Sequence, residues 1–550
     1  MGDRLGVRLR WPGQAATSVG PSTYVLDAPR RLGCFDTPLD GPLRPRSHMI
    51  ASILSATLHG VVGHAVTVEV HVGAGLPGYT IVGLPDTACR ESRDRARSAL
   101  MACDRPFPNG RITVNLAPSE LPKAGAGFDL ALAVGLLVAS GEVPVPTEPL
   151  AFLGELGLDG SVRSLRGVFP MVAAIAPSGA TLVVGAADAA EAALHPGVSV
   201  RAVNSLQEVI DALNGDEPWP TVIRSPPIRR NTVTPDMAEV VGQPFARHAV
   251  EVAAAGGHHL LLSGTPGSGK TLLAERLVHL LPDLGDPEAA EATSVASAAG
   301  ESIGELIRRP PHRAPHHTAS AVAMIGGGTK MLRPGEISRA HGGVLFLDEL
   351  GEFPAAVLDA LRQPLQSGTI RIDRARVGAT LPARFQLVGA MNPCPCGFAG
   401  TARCACGEAQ RQRYLRRISG PILDRFDIRV RVEPVAAGDL LGPRTAEPTS
   451  VVAARVAGAR VRARERGVCA NAHLPDAELS AALRLDPAAT RLLERSIEAG
   501  VLSARGLTRV QRVALTLDDL AGGDGQGTED LMAEAMILRN PVGRRHGAAA

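Results

Sequence analysis

One octapeptide limits what this chain can fold into more than any other feature. Gly264-Thr265-Pro266-Gly267-Ser268-Gly269-Lys270-Thr271 satisfies the pattern G-x-x-x-x-G-K-[ST] in full. Leu260-Leu261-Leu262 ahead of it reads as a buried strand, and Leu272 to Leu281 behind it as a helix. That is the strand–loop–helix setting the pattern requires. Glycines let backbone N–H groups turn inward on phosphate oxygens, and the helix N-terminus adds positive potential. The pattern predicts a triphosphate site, with Lys270 reaching the β- and γ-phosphates of ATP and Thr271 ligating Mg²⁺. Only three of the 57 basic residues are Lys: Lys123, Lys270 and Lys330. Lys is a compact point charge where Arg is a planar fork, so a Lys kept in an Arg-dominated chain supports that role.

Gly343-Val344-Leu345-Phe346-Leu347-Asp348-Glu349, about 75 residues further on, is an apolar strand ending in two carboxylates. A strand buried on both faces carries acids only at its tip, and this tip is expected beside the phosphate loop. Asp348 would hold Mg²⁺, directly or through water, and Glu349 would act as general base on the attacking water. A structural ion pair is the alternative. Phe385-Gln386-Leu387-Val388-Gly389-Ala390-Met391-Asn392 is a third apolar strand with a polar tip. Asn392 either orients the lytic water or is a turn residue.

The rest of the chain divides by composition. Residues 1–48 are rich in Pro, Gly and Arg, with seven Arg against four Asp, and read as a disordered tail. Residues 50–212 alternate strand and helix patterns: Val66–Val72, Arg111–Leu116 and Thr181–Val184 as strands, Arg93–Met101 and Asp129–Val138 as helices. Residues 213–235 collect five Pro and read as a linker. Residues 236–435 hold the motifs above, and 451–546 alternate Ala and Leu with Arg and Glu at helical spacing. The 45% hydrophobic content is enough for large cores. No apolar run reaches the ~18 residues of a membrane span. No cationic stretch followed by an apolar core opens the chain, so a cytoplasmic location is expected.

Cys394, Cys396, Cys404 and Cys406 form C-x-C-x₇-C-x-C within 13 residues. Four thiols this close can converge on one tetrahedral ion, and a reducing compartment disfavours disulfides. Structural Zn²⁺, free thiols, and a disulfide or other metal all remain open. With every ligand position a Cys, no open catalytic position is expected at such an ion.

The order of phosphate loop, Asp-Glu strand, Asn-tipped strand and then Pro421-Ile422-Leu423-Asp424-Arg425-Phe426-Asp427 resembles an AAA+ ATPase. It is most similar to the magnesium-chelatase-like branch and, within it, to the YifB/ComM family. The specific strings are Gly78-Tyr79-Thr80-Ile81-Val82-Gly83-Leu84-Pro85, Pro315-His316-His317-Thr318, Pro334-Gly335-Glu336-Ile337-Ser338 and Asn392-Pro393-Cys394-Pro395-Cys396-Gly397. The resemblance implies an α/β fold: an AAA+ core over 236–435 with a Cys-rich insertion at 394–406, and a helical lid over 451–546. It also implies a Lon-protease-like (ribosomal S5 domain 2-like) domain over 50–212.

By the same resemblance the ATP site lies between subunits of a homo-oligomeric ring, six in the family. Arg425 is then the candidate arginine finger, and Arg505 the second sensor with Arg509 as its rival. Gly242-Gln243 matches the adenine-pocket segment. The Lon-like domain is expected to be non-catalytic. The position of the nucleophile falls at Gly127, and that of its partner Lys near Phe169.

The load is less specified. Arg371, Arg374 and Arg376 lie where this AAA+ branch places a β-hairpin facing the ring pore. Arg308, Arg309 and Arg313 form a second cluster with His312, His316 and His317. Either cluster would track a phosphate backbone, or be solvated or salt-bridged surface. The net charge is only +2 and aromatics are 3%, so local backbone contacts are expected rather than a global basic field or base stacking. The family resemblance points to DNA branch migration on single-stranded or branched DNA. The alternative is a chaperone-like ATPase that remodels a protein partner, as a chelatase motor subunit does.

Overall fold

The computed structural model describes residues 50–220, 235–328, 332–374, 377–443 and 446–539. The expected tail over 1–48 and residues 221–234 of the expected linker lie outside the described residues.

The first half builds a mixed seven-stranded sheet. Its order is Gly78–Val82, Arg111–Ala117, Val62–Gly73, Ile50–His59, Leu150–Leu153, Thr181–Gly185, Val200–Val203. Ile50–His59 and Val62–Gly73 form an antiparallel hairpin in which Ile53 faces Val68. The period-two pattern of the sequence becomes one buried face, with Val66, Val68 and Val70 fully covered. The helix Asp129–Ser140 lies on that face, and its apolar run is buried from Asp129 to Ala139. Gly135 permits the close approach, since a Cβ there would stand 2.7 Å from Val70 Cγ2. At Gly127 the nearest side chain to a Cβ would be that of Leu165, and Phe169 is buried.

The second sheet is parallel and five-stranded, in the order His312–Arg313, Val344–Leu347, Gln386–Met391, Leu260–Gly264, Ile428–Val432. The Asn-tipped strand therefore lies between the phosphate-loop strand and the Asp-Glu strand, pairing Leu260 with Val388 and Leu345 with Leu387. Its three central strands are buried throughout, as expected of a parallel sheet covered on both faces.

Each face of this sheet feeds a different core. Leu260, Leu262, Phe346, Val388 and Val430 join one cluster with the helices Pro244–Gly256 and Lys270–Leu280 and with the C-terminal helices Thr449–Glu465 and Ala504–Ala521. Leu261, Leu345, Leu347 and Leu387 point the other way. They share a second cluster with Leu58, Val61, Ala151 and Leu182 of the seven-stranded sheet. The two sheets are thus bonded through common apolar packing, which the reading of 50–212 as a module of its own did not anticipate. The fold is the expected α/β architecture: a P-loop core with an α/β domain in front and a helical lid behind.

The strands Thr369–Arg374 and Val377–Pro382 form an antiparallel hairpin. Ile370, Ile372 and Leu381 bury one of its faces. The start of its second strand, far from its base, meets the turn of the first hairpin, where His59 Nε2 lies 2.9 Å from the Gly378 carbonyl oxygen. No helix among the described residues is long and apolar enough to cross a membrane.

Candidate nucleotide-binding and hydrolysis site

The loop Gly264–Thr271 leaves a buried strand and enters the helix Lys270–Leu280. Gly267 and Gly269 adopt φ of 78° and 91°, and a Cβ at either would meet open space. The loop backbone at both glycines thus faces open space. Lys270 is buried, and its Nζ donates to the carbonyls of Gly264 (2.9 Å) and Thr265 (2.8 Å) and lies 3.3 Å from Asn392 Oδ1. Burial holds this ammonium below its ordinary range, and Asp348 opposes that only in part. The Ser268 hydroxyl is buried without a partner. A buried cation among neutral oxygens beside an orphaned hydroxyl fits a phosphate group, which would satisfy both.

Thr271 Oγ1 donates to Asp348 Oδ2 at 2.9 Å, and the Glu349 amide donates to Asp348 Oδ1 at 2.8 Å. Thr271 and Asp348 are thereby placed as a pair of hard oxygen ligands suited to Mg²⁺. The Lys270-Thr271 pair, Asp348 and Asn392, from three separate stretches of sequence, meet beyond the carboxyl ends of three neighbouring strands. This is the switch region of a parallel sheet, where ligands bind beyond the carboxyl ends of the strands.

Glu349 has a left-handed backbone, φ 51°, uncommon for a residue with a Cβ. Its carboxylate pairs with His317 Nδ1 at 3.1 Å. The His317 ring packs at 4.1 Å on His316 and edge-on to Phe353. The sequence singled out His317 for charge, and nothing in the spacing announced its pairing with Glu349. Gln243 also has positive φ, and its amide donates to Ser268 O at 3.3 Å and to Glu433 O, tying the expected adenine-pocket segment to the phosphate loop. A cavity of about 520 Å³ lined by Gly242, Pro244, Asp439 and Val452 opens beside it.

Arg425 ends the short helix Gly420–Leu423 and its turn, and donates to Gln366 Oε1 at 3.0 Å. Burial and the neighbouring Arg509 and Arg505 push its pKa down, so three guanidinium groups cluster here. The structure separates the two second-sensor candidates. Arg509 forms an ion pair with Asp427 at 2.8 Å, both side chains largely buried, whereas Arg505 is exposed. Burial would raise the Asp427 pKa, but the His258 imidazole, then Arg509 and His259, outweigh it and hold this carboxyl well below its ordinary range. Arg509→Ala is expected to cost about 3 kcal/mol, because it strands a buried carboxylate. Arg505→Ala should leave the melting temperature near wild type while lowering ATP turnover. Thermal melts with turnover on both variants check the assignment, and the reverse pattern would exchange the two roles.

Of the basic clusters, Arg371 is exposed on the hairpin, Arg374 ends its first strand, and Arg376 lies outside the described residues. Arg308 pairs with Asp286 at 2.8 Å, Arg309 with Asp283 at 3.2 Å, and Arg313 with Glu301. Each of these three guanidinium groups has a carboxylate partner, and Glu301 is shared with Arg339.

The four cysteine sulfurs lie within 4.8 Å of one another. Cys394 is buried and the others are partly exposed. Backbone N–H bonds, led by that of Phe398, lower the Cys396 thiol to about 6.

Comparison with known proteins accounts for most of the chain. The family described as magnesium chelatase, subunit ChlI, matches residues 236–440; subunit ChlI of Mg-chelatase matches 68–188; and the ChlI C-terminal family matches 446–539. An uncharacterised protein of Mycobacterium tuberculosis is 45% identical over 499 residues, covering 89% of this chain and 99% of its own. Competence protein ComM of Haemophilus influenzae is 41% identical, covering 90% of this chain and 98% of its own. The uncharacterised protein YifB of Escherichia coli is 41% identical, covering 84% and 92%. With three family matches in sequence order and these relatives spanning nearly all of it, the chain belongs to the magnesium-chelatase-like YifB/ComM family.

Proposed function

We propose that this chain is the subunit of a cytoplasmic homo-oligomeric ring, a hexamer, that hydrolyses ATP to translocate on DNA and promote branch migration. The observation that carries the ATPase reading is the meeting of Lys270, Thr271, Asp348 and Asn392 beyond the carboxyl ends of three neighbouring strands. Bound Mg²⁺, held by Thr271 and Asp348, would neutralise charge on the β- and γ-phosphates. The loop amides from Gly264 to Gly269, with Ser268 and Lys270, bind the phosphates. Glu349 accepts a proton from the attacking water, and Asn392 orients that water. Arg425 and Arg505 serve the seam between neighbouring subunits. Residues 50–212 form a non-catalytic module, 236–435 the motor core and 451–546 its lid, of which 540–546 lie outside the described residues. The four thiols form a closed donor set suited to Zn²⁺.

The DNA reading rests on the exposed Arg371 of the hairpin and on the likeness to ComM. The self-paired Arg308, Arg309 and Arg313 contribute less than their number suggests, because paired surface charges project little field. Arg371→Ala with Arg374→Ala is expected to weaken DNA binding by about tenfold at low salt and to flatten the salt dependence by about two charges. ATP affinity should stay unchanged. The deciding experiment is ATPase activity titrated with single-stranded, duplex and branched DNA. Stimulation by branched or single-stranded DNA supports the reading. Failure of every DNA to stimulate, with turnover responding instead to a protein partner, would transfer it to the remodelling class.

A further inference from the structure

The cysteine cluster stands against the phosphate loop. Gly397, at φ 83°, touches Pro266, and a Cβ there would come within 2.6 Å of Pro266 Cδ and 2.7 Å of its Cγ. Two residues before Cys394 is Asn392, whose side chain meets Lys270 at 3.3 Å. Beyond Cys406 the helix Glu408–Leu415 carries Tyr414, which is buried. The Tyr414 ring and hydroxyl are in the path of any Cβ at Gly351, just beyond the Asp348-Glu349 pair. Thus the N-terminal part of the 394–406 loop, through Asn392 just before it and Gly397 within it, bears on residues that line the nucleotide site.

The sulfur geometry says what closes the loop. Cys394 Sγ lies 3.4 Å from that of Cys396 and 3.9 Å from that of Cys404, and Cys396 lies 3.7 Å from Cys404. Four thiolates at about 2.3 Å from a tetrahedral Zn²⁺ are about 3.8 Å apart along each edge. A loop this rich in Gly, with little apolar cover of its own, needs a cross-link to hold one shape.

We propose that the four cysteines bind one Zn²⁺ per chain and that this ion is a strut for the nucleotide site, so that nucleotide affinity depends on the metal. The proposal rests on the reading of residues 264–271 as the ATP site. The strut acts through Gly397 on Pro266 and through Asn392 on Lys270.

Three preparations of the full chain test it: wild type, Cys404→Ser and Gly397→Ala. Zinc is measured by plasma emission, and affinity by titration with a fluorescent ADP analogue. Wild type is expected to carry one Zn²⁺ per chain. Cys404→Ser loses the zinc and binds the analogue at least about tenfold more weakly. Stripping wild-type zinc with a mercurial and EDTA gives the same loss, which thiol plus Zn²⁺ reverses. Gly397→Ala keeps its zinc and still binds weakly, because the added methyl meets Pro266; it separates the strut from any general folding defect in Cys404→Ser. The proposal is overturned if reduced wild type neither carries nor takes up Zn²⁺. It is equally overturned if zinc-free wild type and Gly397→Ala bind within twofold of the intact chain. If wild type binds no nucleotide at all, the ATP-site reading fails, and the zinc count still stands as a separate result.

Discussion

Lys270→Ala is expected to weaken ATP and ADP binding by about a hundredfold, near 3 kcal/mol, with the fold intact. The reason is local. The ammonium is already desolvated and aimed into the loop by two carbonyls, so a phosphate gains its full charge without paying to orient it. Removing the cation leaves the Gly264 and Thr265 carbonyls facing the same space, with nothing to balance an incoming triphosphate. Burial also makes the wild-type site sensitive to base. The Lys270 pKa is lowered, so the charge is lost at a lower pH than on an exposed Lys, and affinity should decline through the alkaline range accordingly. Equilibrium titration with a fluorescent nucleotide measures both effects. Affinity within threefold of wild type in Lys270→Ala would remove the loop from the binding site.

Glu349→Gln is expected to cut turnover by a hundredfold or more while ATP binding is retained or tightened. Asp348 and Thr271, paired at 2.9 Å, are untouched by the change, so the metal ligands and the phosphate grip survive. What is lost is the carboxylate proposed to accept the proton of water. Single-turnover hydrolysis set beside nucleotide affinity separates the two steps. Normal turnover in this variant would mean that the base lies elsewhere. The contact of Glu349 with His317 at 3.1 Å adds a refinement. One oxygen of the base is occupied, and the imidazole holding it is itself packed between His316 and Phe353.

How far the chain could be read without coordinates depends on how each feature is encoded. The phosphate loop, the acidic strand tip and Asn392 each need particular residue types at fixed local spacing, and all three meet in space. The helix Asp129–Ser140 and the strand Arg111–Ala117 were legible from periodicity, with ends one or two residues beyond the pattern. The short edge strand His312–Arg313 was not, because two residues carry no period. Nor was the ordering of strands, which is decided by long-range packing. Arg308, Arg309 and Arg313 look like a basic patch in one dimension, and only folding brings Asp286, Asp283 and Glu301 to them. Arg505 and Arg509, one turn apart, were indistinguishable by spacing. The buried Asp427 tells them apart, and its partner sits 82 residues away.

A lever needs a fulcrum. The hairpin at 369–382 is seated on the turn after the first strand, where Gly60 brings the backbone so near that a Cβ would stand 3.0 Å from Ala379. Beneath that seat, Leu58 and Val61 are interlocked with Ile370 and Leu381 in a single apolar mass. Any load borne by the hairpin would therefore pass into a broad seven-stranded plate instead of a slender stalk, with residues 50–212 as its backstop.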